Sequence, residues 1–282
     1  MDNSSLGDRM KNYESRNQYF LKRRTPVCIR VDMRAGHTFT RGFVRPFDEV
    51  FGNTMVRTME YCAKNIGNCV FSYCQSDEIT FILVDYEKPE TDAWFGYRTD
   101  KLCSIAASMA TMAFNKYFAD EVWNYIFSVE ISGNEQIEKQ IDIYKKAVDR
   151  GAMFDARCFN IPKEEVTNLV YWRQLDATRN SIQMVGQANF SHGQLQGKSC
   201  NMIQDMLYEY REINWNDYPT RWKRGVACYK VVENFVETEP SEGWAPDKEI
   251  PKTRSYWKTD YEMPILKGKD REYVDRHIFV GE

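Results

Sequence analysis

The sequence predicts an α+β fold, a ferredoxin-like antiparallel sheet with helices packed on it. Residues 27–32 make a short apolar run that ends on Asp32. "CVFSYC" (69–74) and "ITFILVDY" (79–86) are two strand-like runs joined by the polar link Gln75-Ser76-Asp77-Glu78, a hairpin signal without an Asn-Gly turn. Helical patterns separate these runs, and the order strand, helix, strand, strand, helix, strand is the split β-α-β arrangement.

In chain order, residues 8–21 are expected as a short helix leading to Pro26, and 27–32 as a buried central strand. A helix is expected from Pro46 to Ile66, with Phe47, Val50, Phe51, Met55, Met59 and Cys62 near helical spacing and Gly67 as its stop. "WFGYRTDKLCSIAASMATMAFNKYF" (94–118) predicts a helix whose small residues pack closely on a sheet. "IFSVEIS" (126–132) and "MFDARCFNIP" (153–162) predict further strands, with a polar, irregular stretch over 134–150 between them. Residues 163–190 predict a long helix with Leu169, Trp172, Leu175, Ile182 and Val185 near one side. Arg173, Asp176 and Asn180 fall at i, i+3 and i+7 and make its polar face.

Composition narrows the class. The chain has 282 residues, 43% hydrophobic and 28% charged, which is ordinary globular usage. Mean hydropathy is -0.61, and no apolar run approaches the ~20 residues that span a bilayer. The polar start lacks the apolar core of a secretory signal. Eight cysteines, at 28, 62, 69, 74, 103, 158, 200 and 228, include no CxxC pair. They are expected as reduced core thiols of a cytoplasmic protein, with no disulfide framework or zinc site. His37, His192 and His277 are far apart in sequence, which argues against a histidine metal site. The net charge of -3 gives no global case for nucleic-acid binding. Basic residues do cluster, at Lys22-Arg23-Arg24, at Arg41 and Arg45, and at Arg221, Lys223 and Arg224.

Two strands that each deliver a carboxylate at one end are a natural metal site. On neighbouring strands, Asp32 and Asp77 would face each other at about 5 Å between Cβ atoms if directly opposite. The plain alternatives are a turn role for Asp77-Glu78 and a strand-end cap for Asp32. The functional alternative is Mg2+, which accepts one or two carboxylates together with water and phosphate oxygens; a backbone carbonyl beside Asp32, such as that of Met33, can add a ligand. Arg34 and His37 follow Asp32, and Arg98, Lys101, Ser104 and Ser108 share one helix face. Cations and hydroxyls in that pattern suit a polyphosphate or a nucleic-acid backbone.

"RVDMRAGHTFTRGFVRPFD", "QSDEITFI" and "YRTDKLCSIAAS" together resemble the tRNA(His) guanylyltransferase family of 3′–5′ nucleotide-adding enzymes, nearest its guanylyltransferase-like, tRNA-repair branch. "FDARCFNIP", "WRQLDATRNSI", "LQGKSCNMIQDML" and "RWKRG" resemble its later motifs, and the resemblance runs from about residue 8 to residue 230. It implies a polymerase-type palm and a Mg2+-dependent nucleotidyltransferase that extends the 5′ end of a tRNA after activation with ATP or GTP. It implies Asp32, Asp77 and Glu78 as catalytic, with Asp32, Asp77 and the Met33 carbonyl holding two Mg2+ ions. Arg30, Met33, Arg34, Ala35, Gly36, His37, Arg45, Ser76 and Asp77 would bind nucleotide or phosphate. Arg98, Lys101, Ser104, Arg157, Arg173, Asn180, Lys198, Asn201 and Lys223 would meet RNA. A homotetramer is implied as well.

The chain departs from the family pattern at Met33, where Gly is usual, at Gly36, where an aromatic residue is usual, and at Arg45, where Lys is common. Residues 1–235 are expected as one catalytic domain, with the palm at about 22–135 and a further part at about 136–235, followed by a tail over 236–282. Two rival functions remain at this point: a palm-fold nucleotide cyclase, and an RNA-binding protein without activity.

Overall fold

A computed structural model of the chain describes residues 5–129, 134–239 and 248–281. Its elements are α1 (Ser5–Ser15), β1 (Val27–Met33), α2 (Gly36–Phe39), α3 (Glu49–Asn65), β2 (Cys69–Gln75), β3 (Glu78–Leu83), α4 (Thr99–Ser128), α5 (Glu135–Arg150), β4 (Phe154–Asn160), α6 (Lys163–Asn189), α7 (His192–Leu195), α8 (Cys200–Arg211), α9 (Thr220–Arg224), β5 (Val226–Glu239), β6 (Lys248–Asp260) and α10 (Glu272–Asp275). The six strands form one sheet in the order β4-β1-β3-β2-β5-β6, with every neighbouring pair antiparallel. The first four strands of that order are the ferredoxin-like sheet, with β1 and β3 at its centre.

Strand alternation divides the chemistry. On β1, Val27, Ile29, Val31 and Met33 turn to one face and join the main core with Phe81, Met55, Met59, Phe114 and Phe118. Helices α3 and α4 cover that face because their apolar stripes complete this core. Cys28, Arg30 and Asp32 turn to the other face. There Cys28, Ile82, Val166 and Val170 form a second core, with Met263, Leu266, Val274 and Ile278 from the C-terminal segment. Helix α6 covers only part of this face, and Asp32 at the end of β1 stays half-buried, while a cavity opens next to it at Gly36, His37 and the Ser76-Asp77 turn.

Several elements differ from expectation. The helix expected from Pro46 begins at Glu49, because the Asp48 carboxylate caps it by accepting from the Phe51 amide at 2.9 Å. Helix α4 runs on to Ser128 where a strand was expected over 126–132; Val122 is buried and Ile126, one helical turn on, packs on the same core. Residues 130–132 of that expected strand lie outside the described residues. Residues 135–150 are helical rather than irregular: Asn134 caps them, and Ile141, Tyr144 and Ala147 are buried. Ile137, Ile141, Tyr144 and Val148 recur at helical spacing among the charges, a signal that the polar composition masked. The fourth strand of the sheet is therefore β4. The first helix ends at Ser15, short of residue 21, since Phe20 bridges to Arg98. Beyond Gly225, β5 continues through position 235 and pairs with β6 as a long hairpin.

Candidate active site

Antiparallel register places Asp32 opposite Glu78 on β3 and opposite Asp155 on β4. Directly opposed residues share a face, so these three carboxylates lie on the partly covered side of the sheet. Asp77 is not opposite Asp32. It occupies the two-residue turn between Gln75 and Glu78, next to Ser76 at φ 49, and its carbonyl accepts from the Met33 amide at 3.0 Å. That bond ties the hairpin turn to the end of β1. Ala35, also left-handed at φ 55, then turns the chain into α2.

The Asp77 carboxylate rests against the Gly36 Cα. A Cβ at position 36 would stand 2.9 Å from Asp77 Cγ, closer than real Cβ atoms come to a neighbour. The Asp32 carboxyl is pushed above its usual range, first by burial and then by the negative charges of Asp77 and Asp155. The opposing pull of Arg157 and Arg30 is the lesser one, and the negative charge gathered here is a fit for a hard divalent cation. Among the described residues, no group of three or more His, Cys, Asp or Glu side chains is arranged to hold a metal. Two carboxylates with a carbonyl, water and phosphate oxygens are the sparser set that Mg2+ uses.

Glu78 is held differently. It is buried, and its Oε1 pairs with Arg173 Nε at 2.8 Å while Oε2 faces Arg30 Nε at 3.5 Å. Its carboxyl is pushed up by burial, against the pull of Arg173 and Arg30.

A cavity of about 470 Å³ opens beside Asp77. Gly36, His37, Arg45, Ser76, Asp77 and Asn180, all expected from the sequence, line it. Arg41, Phe47, Arg221 and Trp222 line it too and were not among the expected site residues. Phe47 and Trp222 stack at 5.1 Å between ring centroids. Arg41 and Arg221 were visible only as basic clusters, and nothing in the sequence pairs Phe47 with Trp222 across so long a separation. Arg34, Arg30, Met33 and Ala35 flank the carboxylates without lining the cavity. Asp155 was also missed, since its role follows from β4 pairing with β1 and no local motif shows that.

The expected RNA residues divide into groups. Arg173 is a correction: it is buried, and its guanidinium is engaged by Glu78 and Asp176. The "polar face" of α6 is its sheet-facing side, whereas Trp172 and Leu175 are the exposed ones. Lys223 is a second correction: it is buried, with Nζ donating to the Asn216 carbonyl and its ring neighbour Trp215 beneath. Burial lowers its pKa. Arg98 precedes α4 instead of sharing its face, and it pairs with Asp100 at 2.9 Å. Lys101, Ser104, Arg157, Lys198 and Asn201 are exposed. The start of α4 meets β4 at Cys158, whose thiol lies 3.5 Å from that of Cys103. Cys158 and Asp155 are three strand positions apart, about 10 Å, so Lys101 and Ser104 stand away from the carboxylates. Of the eight cysteines, Cys103, Cys158 and Cys200 are only half-buried, with Cys158 and Cys200 packed at the margins of the cores.

A family model described as Thg1, tRNAHis guanylyltransferase, matches residues 7–162. The chain belongs to this family. A bacterial Thg1-like protein solved in complex with ATP is 36% identical at a TM-score of 0.76, and the match covers 98% of this chain and 100% of that one. A bacterial Thg1-like protein in complex with GTP is 34% identical at a TM-score of 0.72, again over 98% and 100%. The tRNA(His) guanylyltransferase of Saccharomyces cerevisiae is 25% identical over 217 residues, 71% of this chain and 80% of its own. Asp32, Asp77, Glu78 and Asp155 lie inside the span matched by the Thg1 family; α6, with Arg173, lies beyond it. Among the described residues, no helix is long and apolar enough to cross a membrane.

Proposed function

We propose that the protein adds nucleotides in the 3′–5′ direction to the 5′ end of a tRNA, using ATP or GTP and Mg2+. The observation that carries this reading is Asp32 and Asp77 held together at the end of a ferredoxin-like sheet, beside a cavity rimmed by His37, Arg41 and Arg45. A cyclase-like reading is weaker, because membership of the Thg1 family favours transfer to tRNA.

Asp32, Asp77 and the Met33 carbonyl would hold Mg2+, which supplies Lewis-acid stabilisation of phosphate charge. The chain's own residues do the rest. His37, Arg41 and Arg45 would neutralise the triphosphate, and the Phe47–Trp222 stack would exclude water from the nucleotide. In the first step, a 5′-phosphate oxygen of the RNA attacks the α-phosphorus of ATP and pyrophosphate leaves. In the second, the 3′-hydroxyl of the incoming nucleotide attacks the activated 5′-phosphorus and AMP leaves. We propose that the opposing RNA base selects the nucleotide by pairing with it, which asks no base-edge reading of the protein. Assembly as a homotetramer in the cytoplasm belongs to the same proposal.

The test incubates the protein with Mg2+, ATP, labelled GTP and a 5′-truncated tRNA, and looks for lengthening at the 5′ end. No extension would sink the reading. Varying the opposing base among A, C, G and U tests the template: G added whatever the partner would overturn templating alone.

A further inference from the structure

The fork of Arg173 meets three partners at once. Its Nε pairs with Glu78 Oε1 at 2.8 Å, its Nη2 pairs with Asp176 Oδ2 at 2.6 Å, and its guanidinium lies 4.3 Å from the centroid of the Trp172 ring. Arg173 and Glu78 are each only 8% exposed. The second oxygen of Glu78 faces Arg30 Nε at 3.5 Å, and Arg30 lies 5.8 Å from the same Trp172 ring. Arg179, at 2.5 Å from Asp176 Oδ1, closes the far end.

From this we infer that Arg173 is a positioning residue of the transfer reaction: it clamps Glu78, and through Glu78 it fixes the Arg30 guanidinium beside Asp32. The inference rests on the function proposed above.

The arrangement assigns the roles. Each Glu78 oxygen faces an arginine as an ion pair, so Glu78 acts as a counter-charge and leaves metal binding to Asp32 and Asp77. Glu78 is also the register partner of Asp32, so any drift of its carboxylate is felt at the metal end of β1. Arg30 uses Nε toward Glu78, and its Nη groups have no hydrogen-bond partner among the described residues, which leaves them for a phosphate. Arg173 cannot leave to meet RNA without stranding a buried carboxylate. Lysine would not substitute, because one ammonium cannot pair with Glu78, reach Asp176 and stack on Trp172 together.

The test compares wild type with Arg173→Lys, Arg173→Met, Glu78→Gln and the double variant Glu78→Gln/Arg173→Met. Single-turnover nucleotide addition is measured at saturating RNA and nucleotide, and affinity for the 5′-truncated tRNA is measured separately at two salt concentrations. Arg173→Lys and Arg173→Met should each slow the single-turnover rate by roughly 10–100-fold, as loss of an outer-shell partner does. RNA affinity and its salt slope should not change. The double variant should be no slower than Glu78→Gln alone, because the clamp acts through Glu78. If Arg173→Met does not fold, Arg173→Lys still tests the idea, since it keeps a positive charge beside the buried Glu78 carboxylate. A wild-type rate with weaker RNA binding and a shallower salt slope would make Arg173 an RNA contact. Full activity of Arg173→Lys, or additive losses in the double variant, would also overturn the inference. Wild-type protein that adds nothing would overturn the proposed function itself, a distinct result from an active wild type with unaffected variants.

Discussion

Asp77 lies against Gly36 so closely that a side chain at position 36 would displace its carboxylate. A Cβ there would fall 2.9 Å from Asp77 Cγ. The cheaper movement is the side chain of Asp77, because the Met33 amide holds the backbone of Asp77 in place. Gly36→Ala should therefore leave the melting temperature within a few degrees of wild type and reduce nucleotide addition by at least about tenfold, as 1 Å misplacements at catalytic centres do. Near-normal turnover in Gly36→Ala would show that the Asp77 carboxylate accommodates a Cβ at position 36 without loss of function.

The three aspartates, Asp32 on β1, Asp77 in the hairpin turn and Asp155 on β4, should be unequal. Asp32→Ala and Asp77→Ala should each abolish addition while the protein stays folded, since a lost ligand removes several kcal/mol of transition-state stabilisation. Asp155 is exposed and pairs with Arg157 at 3.3 Å. It contributes charge to the site without being cradled, so Asp155→Asn should raise the Mg2+ concentration needed for half-maximal activity while retaining most of the maximal rate. A titration with Mg2+ reads both effects. Equal, complete loss in all three variants would make Asp155 a ligand.

The sheet was legible because strand and hairpin signals are local: an apolar run ending on Asp32, and two runs around Gln75-Ser76-Asp77-Glu78. The reach of α4 past residue 118 was not, because Ile126 and Phe127 favour strands intrinsically and only packing on the core decides for helix. The same limit applied to the site. Asp32 and Asp77 stand in short motifs, whereas Asp155 and Trp222 reach the site through pairings across long separations. Arg173 misled in another way. A helical face of Arg, Asp and Asn reads as solvated, and burial became visible only with Glu78 placed opposite it.

Phosphate and RNA contacts should separate. Arg41 and Arg45 are exposed on the rim of the cavity, so Arg41→Ala and Arg45→Ala should raise KM for the nucleotide by roughly tenfold, the value of one charge-assisted hydrogen bond. Lys101 stands away from the carboxylates, and Lys101→Ala should weaken tRNA binding and lower the salt slope by about one unit while sparing the nucleotide KM. Steady-state kinetics with each substrate varied in turn distinguishes the two. A rise in nucleotide KM for Lys101→Ala would place the triphosphate on α4.

The C-terminal segment should give the fold an acid-sensitive seam. His277 packs on Phe71 and Tyr229 at 5.9 and 5.0 Å between ring centroids, and its Nε2 accepts from Arg276 Nε at 3.3 Å. Burial, helped by the positive charge of Arg276, lowers its pKa to about 4 from 6.5. A depressed folded-state pKa means that the unfolded chain takes up the proton first. Stability is therefore fully present above pH 6.5 and is lost as the pH falls from there toward 4. Between pH 7 and 4.5 the loss from this one group is on the order of 2–3 kcal/mol. His277→Phe keeps an aromatic ring against Phe71 and Tyr229 and removes the titration. Urea unfolding of both proteins at the two pH values isolates the effect, because shifts at Asp32 and Glu78 are common to both. The wild type should lose about 2–3 kcal/mol more than His277→Phe on acidification. Parallel losses in the two proteins would mean that His277 is as free to take up a proton in the folded chain as in the unfolded one.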